Sequence, residues 1–114
     1  MTLSAATPEL QVPDVKAAMD FFETTLGFRT AWYNPDWGLG AVARDDCQFF
    51  LRESDRPTTG AIFWVFAEDI DATFADLTQR GADITDPLTT KPWGLRQFTV
   101  ADPMGNLIHF HHDV

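Results

Sequence analysis

Three histidines near the end of the sequence, His109, His111 and His112, have the residue type and spacing that most suggest chemistry. Imidazole nitrogens bind zinc, copper, iron and nickel, so the first question is whether this cluster holds a metal ion. His109 and His111 fall on the same face of a predicted strand, but the rise of the chain separates them by ~6.5 Å, which makes convergence on one ion difficult. We therefore interpret the cluster as a source of polar contacts rather than as a metal site.

The segment before the histidines predicts how they are positioned. Asp102 and Pro103 head a turn, and Gly105 and Asn106 lie inside it. These residue types supply the backbone angles that a tight reversal needs. Residues 107–112 are therefore expected to form a strand that pairs back on residues 96–101.

Two copies of one short pattern organise the chain. Asp14 and Asp69 are each followed by a branched apolar residue, any residue, and Ala. Aspartate in this position caps a helix, because its carboxylate accepts a free first-turn N–H and complements the helix dipole. Gly27 and Gly81 predict the helix ends. The apolar residues between cap and glycine follow helical spacing, as Val15, Ala18, Met19, Phe22 and Leu26 in the first helix and Ile70, Phe74 and Leu77 in the second.

Each predicted helix is preceded by one strand and followed by three. The strands are expected at residues 9–12, 28–34, 37–44 and 47–52 in the first half, and at 61–66, 82–85, 96–101 and 107–112 in the second. Residues 53–60, rich in charge, Thr, Pro and Gly, predict a linker. The expected fold class is α+β, with two βαβββ modules at about residues 8–52 and 61–112 in a single domain covering 1–114.

Alternation along the strands sorts their side chains into two faces. The uniformly apolar set is assigned to the side that the helices cover, and its members are Cys47, Phe49, Leu51, Phe63, Val65, Ile108 and Phe110. The opposite set mixes rings with polar groups and contains Gln48, Phe50, Arg52, Ile62, Trp64, Phe66, Leu107, His109 and His111. A mixture of this kind is typical of ligand pockets, so we expect a cup-shaped mixed sheet covered by helices on its outer side.

Composition excludes several classes of partner. The chain has 114 residues with ten Phe and four Trp, more large rings than a core of this size needs, so some are expected to line a cavity. A net charge of −9 disfavours nucleic acids and anionic membranes and favours cationic ligands. Cys47 is the only cysteine and no secretion signal is evident, which fits a reducing cytoplasm. No apolar stretch approaches the ~20 residues of a membrane span.

The chain resembles the vicinal oxygen chelate superfamily, the fold of glyoxalase I and bleomycin resistance proteins. The resemblance runs from Pro8 to Phe110 and rests on the duplicated module, on Leu26-Gly27-Phe28 and on Asp102-Pro103-Met104-Gly105-Asn106. Within the superfamily the chain is most similar to the bleomycin-binding proteins, through Pro8, the pair Trp32 and Trp37, Trp64-Val65 and Pro92-Trp93-Gly94.

The enzymes of this superfamily hold a divalent metal with His, Gln or Glu at fixed strand positions. Transferred to this chain, those positions are Thr7, Ile62 and His109. Isoleucine has no lone pair and threonine is a poor ligand, whereas a transition metal needs three or more donors at ~2.0 to 2.2 Å. Cys47 is assigned to the apolar face, and no Ser or Thr lies in a motif that would activate it. We therefore expect no bound metal, no cofactor and no catalytic residue.

The resemblance implies a protein that sequesters a bleomycin-type glycopeptide, or a similar flat aromatic drug, without covalent chemistry. The expected ligand-binding residues are Trp32, Trp37, Phe50, Trp64, Trp93, Gly94 and His109. The rings would stack on flat groups, the negative charge would favour cationic tails, and Gly94 would let a ligand approach the backbone. Arg52 departs from this scheme because it would repel a cation, so another flat or partly anionic ligand stays open.

The resemblance also implies a homodimer with an exchanged N-terminal strand and ligand clefts between the subunits. Pairing would remove exposed sheet edges, and Pro8 would stiffen the exchanged arm. One alternative is a glyoxalase- or dioxygenase-type enzyme with a shifted metal site built from Glu9, His109 and His111. Another is a protein that binds an unrelated metabolite or regulates another protein.

Overall fold

Each half of the chain folds as one helix and four strands. The computed structural model describes all residues, 1–114, and divides into two units, Met1–Pro57 and Thr58–Val114. The first unit contains β1 (Glu9–Val12), α1 (Val15–Leu26), β2 (Arg29–Asn34), β3 (Leu39–Arg44) and β4 (Cys47–Glu53). The second contains β5 (Ile62–Phe66), α2 (Ile70–Gln79), β6 (Asp83–Thr90), β7 (Leu95–Ala101) and β8 (Leu107–Asp113). The α+β class with two βαβββ modules is confirmed, and the single domain stays a prediction.

The first unit is a mixed sheet with the strand order β1-β4-β3-β2, in which β1 is parallel to β4 and the other pairs are antiparallel. Helix α1 begins where predicted, since the Asp14 carboxylate accepts the Ala17 N–H at 3.1 Å. It ends at Gly27, whose φ of 72° favours glycine. The buried Phe22 of α1 contacts Phe28 and Phe49, with ring centroids 5.2 and 5.3 Å apart, and so fixes the helix against one face of the sheet.

The second unit repeats this arrangement with the order β5-β8-β7-β6, again with one parallel pair, β5 and β8. The Asp69 carboxylate accepts the Ala72 N–H at 3.0 Å, as the repeated pattern predicts. Phe98 on β7 is the centre of the core, and its ring lies 5.1 Å from those of both Phe74 and Phe110. The helix therefore covers the face of the sheet that carries Phe98 and Phe110.

The predicted hairpin before the histidines is confirmed, with β7 antiparallel to β8 and Ala101 opposite Leu107. Asp102 Oδ1 accepts the N–H groups of Met104 and Asn106 at 2.9 and 2.7 Å. The buried Asn106 side chain donates to Asp102 Oδ2 and the Thr58 carbonyl, both at 2.8 Å, and accepts the Ala61 N–H at 2.9 Å. The motif thus closes the turn and also ties the start of β5 to β8.

Two strand boundaries differ from the sequence prediction by more than one residue. Strand β6 extends beyond the predicted 82–85. It is the outer strand of its sheet, and Pro87 lies where the register against β7 shifts between Asp86 and Thr89, so a residue without an N–H is tolerated there. Strand β3 begins at Leu39 rather than at Trp37, since residues 35–38 form a turn in which the Gly38 N–H donates to the Pro35 carbonyl at 3.3 Å.

Candidate ligand-binding faces

The rings and polar groups lie on the face of each sheet that faces away from its helix. On the helix side, Phe49, Leu51, Ile108 and Phe110 are buried as predicted, whereas Cys47, Phe63 and Val65 are half-buried. We call the opposite surfaces the first open face, which carries Glu9, Trp32, Phe50 and Arg52, and the second open face, which carries Trp64, Phe66, Gln97, Thr99, His109 and His111 with Trp93 beside them. Each face is described within its own unit.

On the first open face, one row of cross-strand neighbours runs from Glu9 through Phe50 and Ala41 to Trp32. The Trp32 and Phe50 ring centroids are 5.7 Å apart with an angle of 52° between the planes. Ala41, between them in the row, is fully buried and carries only a methyl group. Trp32 is still 40% exposed, so its ring is held in place and remains available for stacking.

Arg52 does not present an unpaired charge on the first open face. Its Nε donates to Glu9 Oε1 at 3.0 Å, and both side chains are partly exposed. An exposed ion pair of this kind adds little to stability, but it neutralises the positive charge locally. The expected repulsion of a cationic ligand by Arg52 is therefore reduced by Glu9.

On the second open face, the corresponding row runs from Trp64 through His109 and Thr99 to Asp86. The Trp64 and His109 rings are 4.3 Å apart and inclined by 36°. Thr99 Oγ1 lies 2.7 Å from His109 Nδ1, and Thr99 is buried. The imidazole of His109 is thus held by a ring on one side and by a hydroxyl on the other.

The next row of the second open face contains Phe66, His111, Gln97 and Thr89. The His111 ring is edge-on to Trp64 and Phe66, with centroids 5.8 and 5.9 Å away. Trp93, in the turn between β6 and β7, donates its indole N–H to Gln97 Oε1 at 2.9 Å. Because Gln97 is buried, this bond fixes Trp93 to the sheet while the ring stays 61% exposed.

The sequence reasoning missed Gln97 and Thr99. Both are polar residues that alternate with Phe98 and Val100 along β7, and both are 3% exposed. This alternation in an otherwise apolar strand was the available signal.

Burial and two neighbouring groups affect the pKa of His109. Burial lowers the pKa of His109, an effect that Asp86 opposes and His111 reinforces. Asp86 in turn accepts a hydrogen bond from Lys91 Nζ at 2.9 Å. The lowered pKa of His109 favours the neutral imidazole at pH 7.

Trp37 and Gly94 also belong to the expected ligand-binding residues and, like Trp93, lie in turns rather than on strands. Trp37 is 73% exposed, in the turn between β2 and β3, and Trp32 has Phe50 as its ring partner. Gly94 has a φ of 86° with open space around it, so the left-handed conformation by itself accounts for a glycine. Ligand contacts of both residues stay predictions, as do those of the other expected binding residues.

The residues at the superfamily's metal positions do not fit a divalent ion. Ile62 is exposed and has no donor atom, and Nδ1 of His109 is engaged by Thr99. Glu9, which the alternative site needs, is paired with Arg52. No group of three or more His, Cys, Asp and Glu side chains is placed to hold a metal ion.

Cys47 also lacks the properties of a nucleophile. Burial raises the pKa of its thiol to about 11. The thiolate is the reactive form, so little of it is present at neutral pH.

The sequence from residue 4 to residue 110 matches the model of the Glyoxalase/Bleomycin resistance protein/Dioxygenase superfamily. The chain belongs to this superfamily. The resemblance expected from the sequence is confirmed at this level. The superfamily name covers binding proteins and enzymes, so membership alone does not decide between them.

Solved structures of the superfamily fold are similar over nearly the whole chain. TioX from Micromonospora sp. ML1 is 28% identical, with a TM-score of 0.81 over 97% of this chain and 100% of TioX. The bleomycin-binding protein from bleomycin-producing Streptomyces verticillus, complexed with copper(II)-bleomycin, is 25% identical, with a TM-score of 0.79 over 96% of each chain. Another bleomycin-binding protein, complexed with bleomycin, has a TM-score of 0.81 over 98% of this chain and 100% of its own, and at 18% identity it shows the shared fold alone.

No curated protein matches this chain significantly in sequence. Neither helix of the structure has the length and apolar character needed to cross a bilayer.

Proposed function

We propose that the protein is a non-enzymatic binding protein that sequesters a bleomycin-type glycopeptide or a similar flat aromatic antibiotic. The observation that carries the proposal is that three tryptophans are held by other side chains and are still exposed to solvent. Phe50 contacts Trp32, His109 contacts Trp64 and Gln97 binds Trp93, and the exposed fractions of the three tryptophans are 40%, 53% and 61%. Large apolar surfaces left open in this way mark places where a ligand or a partner binds. Rigid rings also lose little conformational entropy when a flat group stacks on them.

Charge supports a cationic ligand. The chain carries a net charge of −9, and Arg52 on the first open face is already paired with Glu9. The overall negative charge therefore attracts a positively charged tail, and the pairing with Glu9 reduces the local repulsion by Arg52. A solved protein that is 25% identical to this chain is a bleomycin-binding protein in complex with copper(II)-bleomycin.

We further propose that the protein acts as a cytoplasmic homodimer with ligand clefts between the subunits. Strand β1 pairs with β4 of the same chain, from Glu9 opposite Phe50 to Val12 opposite Glu53. In the proposed dimer the partner's first strand would occupy this place. Sedimentation of the full chain, compared with a variant lacking residues 1–10, tests the assembly, and a ligand-competent monomer from that variant would count against the exchange.

Titration of the purified protein with metal-free bleomycin in a buffer containing EDTA tests the function. The expected result is saturable quenching of tryptophan fluorescence with one drug bound per chain, matched by heat in calorimetry. Neither quenching nor heat at drug concentrations well above micromolar would reject the bleomycin assignment.

A further inference from the structure

The hydrogen bond between Thr99 and His109 determines which nitrogen of His109 carries the proton. Thr99 is buried, and His109 Nδ1, at 2.7 Å, is the one partner its hydroxyl has in the structure. If Nδ1 carried the proton and donated to Thr99, the buried hydroxyl hydrogen would have no acceptor, which is costly. The satisfied arrangement has the Thr99 hydroxyl donating to Nδ1, and this places the His109 proton on Nε2.

Nε2 of His109 is the nitrogen left for a ligand. The Nε2 atom makes no hydrogen bond within the protein. The buried side-chain atoms that lack a hydrogen-bond partner are Nδ1 of His111 and Nδ1 of His112, so Nε2 of His109 is not one of them. The Trp64 ring at 4.3 Å and the Thr99 hydroxyl together fix the plane of the imidazole. By contrast, the indole N–H of Trp93 is already bound to Gln97.

We propose that His109 is a specificity-determining residue of the second open face, whose Nε2–H selects flat aromatic ligands with an in-plane acceptor such as a ring nitrogen or an amide carbonyl. This inference rests on the proposed function. A flat hydrocarbon that covers His109 would bury the Nε2–H without a partner. Sites built to hydrogen-bond a ligand reject analogues that lack the matching group for this reason.

The tautomer can be tested without any ligand. Long-range ¹H–¹⁵N NMR at pH 7.5 should show His109 with a protonated Nε2 and an unprotonated Nδ1. In Thr99→Val, which keeps the shape of the side chain and removes the hydroxyl, the two tautomers should mix. A proton on Nδ1 in the wild-type protein would overturn the inference and would leave the proposed function untouched.

Selectivity is tested with two probes of the same shape, a quinoline and a naphthalene that carry the same aminoethyl arm. In EDTA-containing buffer the quinoline should bind about three- to tenfold more tightly, the factor that one net hydrogen bond supplies. His109→Phe keeps a ring against Trp64 and should abolish the preference, whereas His109→Gln keeps an N–H donor and should retain part of it. His112→Phe is the control, since His112 lies on the opposite face of the same strand, and it should leave the preference unchanged.

The outcomes separate the two proposals. Equal binding of the two probes to the wild-type protein, or a preference that survives in His109→Phe, overturns the inference even if bleomycin binds. Binding of neither probe also overturns it. Failure of bleomycin itself to bind counts against the proposed function, while a clear preference for the quinoline would still establish His109 as the donor. Circular dichroism of each variant verifies that it is folded.

Discussion

Glu9 and Trp64 each precede the N-cap aspartate of the next helix by five residues, yet they begin two rows of different chemistry. The row from Glu9 combines an ion pair with Arg52 and a ring pair, Phe50 with Trp32. The row from Trp64 is a chain of ring, imidazole and hydroxyl. The same backbone arrangement thus carries an ion pair and a ring pair in the first unit, and an imidazole of fixed orientation in the second.

This difference shows what a duplicated fold contributes to recognition. The strand order and the caps repeat, so equivalent positions face the same way in both units. The exposed side chains of the open faces are free to diverge, because they do not take part in the packing of the cores. We therefore expect the stability of each unit to depend on its helix caps, its turns and the buried residues between helix and sheet. Ligand preference should depend on the exposed residues of the open faces.

The largest effect is expected at the turn that leads into β8, which differs from the corresponding turn of the first unit. Asn106 makes three hydrogen bonds through its buried side chain, to Ala61, Thr58 and Asp102. Asn106→Ala should lower the free energy of unfolding by about 2 to 4 kcal/mol, since it removes these bonds and leaves backbone groups unpaired. Urea denaturation measures the change.

The matched control for Asn106 is Asp45 in the corresponding turn of the first unit. Asp45 has a φ of 52°, a conformation that glycine adopts without strain. Asp45→Gly should therefore change stability by less than about 1 kcal/mol. If Asp45→Gly lowered the free energy of unfolding as much as Asn106→Ala does, the two turns would contribute equally to stability.

The second prediction concerns drug binding through Trp93. Loss of a stacking ring costs about 0.5 to 1.5 kcal/mol beyond the lost contact area, so Trp93→Ala should weaken binding of metal-free bleomycin about tenfold or more. Fold stability should change much less, because the ring is largely exposed and leaves no core cavity. Calorimetric titration and thermal unfolding measure the two quantities.

Trp37→Ala is the comparison for Trp93, since Trp37 also lies in a turn but in the first unit. The structure fixes Trp93 by a side-chain bond to Gln97, whereas Trp37 is bound to Asn34 through its backbone N–H. A less ordered ring loses more entropy on stacking, so Trp37→Ala should weaken binding less than Trp93→Ala. The reverse order would move the main stacking site to the first unit.

The third prediction breaks the ion pair of the first open face. Arg52→Ala leaves the Glu9 carboxylate unpaired and should tighten binding of a cationic drug by about two- to fivefold, because a partly exposed charge is worth less than about 1 kcal/mol. Glu9→Gln leaves Arg52 unpaired and should weaken binding by a similar factor. Both changes should shrink as salt is raised. Weaker binding in Arg52→Ala would indicate that Arg52 contacts an anionic part of the ligand.

The elements that follow local rules were predictable from the sequence. Asp14 and Asp69 are caps and Gly27 is a helix end because these residue types satisfy free helix groups, whatever surrounds them. The period of two also assigned Phe49, Ile108 and the exposed rings to their faces. The pattern therefore identified the open faces but not their internal contacts.

Contacts between strands that are distant in sequence were not predictable. The sequence did not reveal the ring contact of Trp32 with Phe50, because the register of β2, β3 and β4 is a property of the whole sheet. For the same reason the sequence did not reveal that Glu9 pairs with Arg52 across 43 residues. The role of Thr99 also required the pairing of β7 with β8.

The smallest expected effect is the pH dependence that His109 gives to the second unit. Burial lowers the pKa of His109 in the folded protein below the ~6.5 of an unfolded chain, against the opposing effect of Asp86. The folded state then binds fewer protons, so the stability that neutral His109 supplies is present above about pH 6.5 and is lost as pH falls toward the folded pKa. Urea unfolding of the wild type at pH 7.5 and 5.5, set against His109→Phe at the same two pH values, isolates this contribution from those of His111 and His112. The wild type should lose more stability on acidification than the variant does. An equal loss in both would mean that His109 titrates as it does in the unfolded chain.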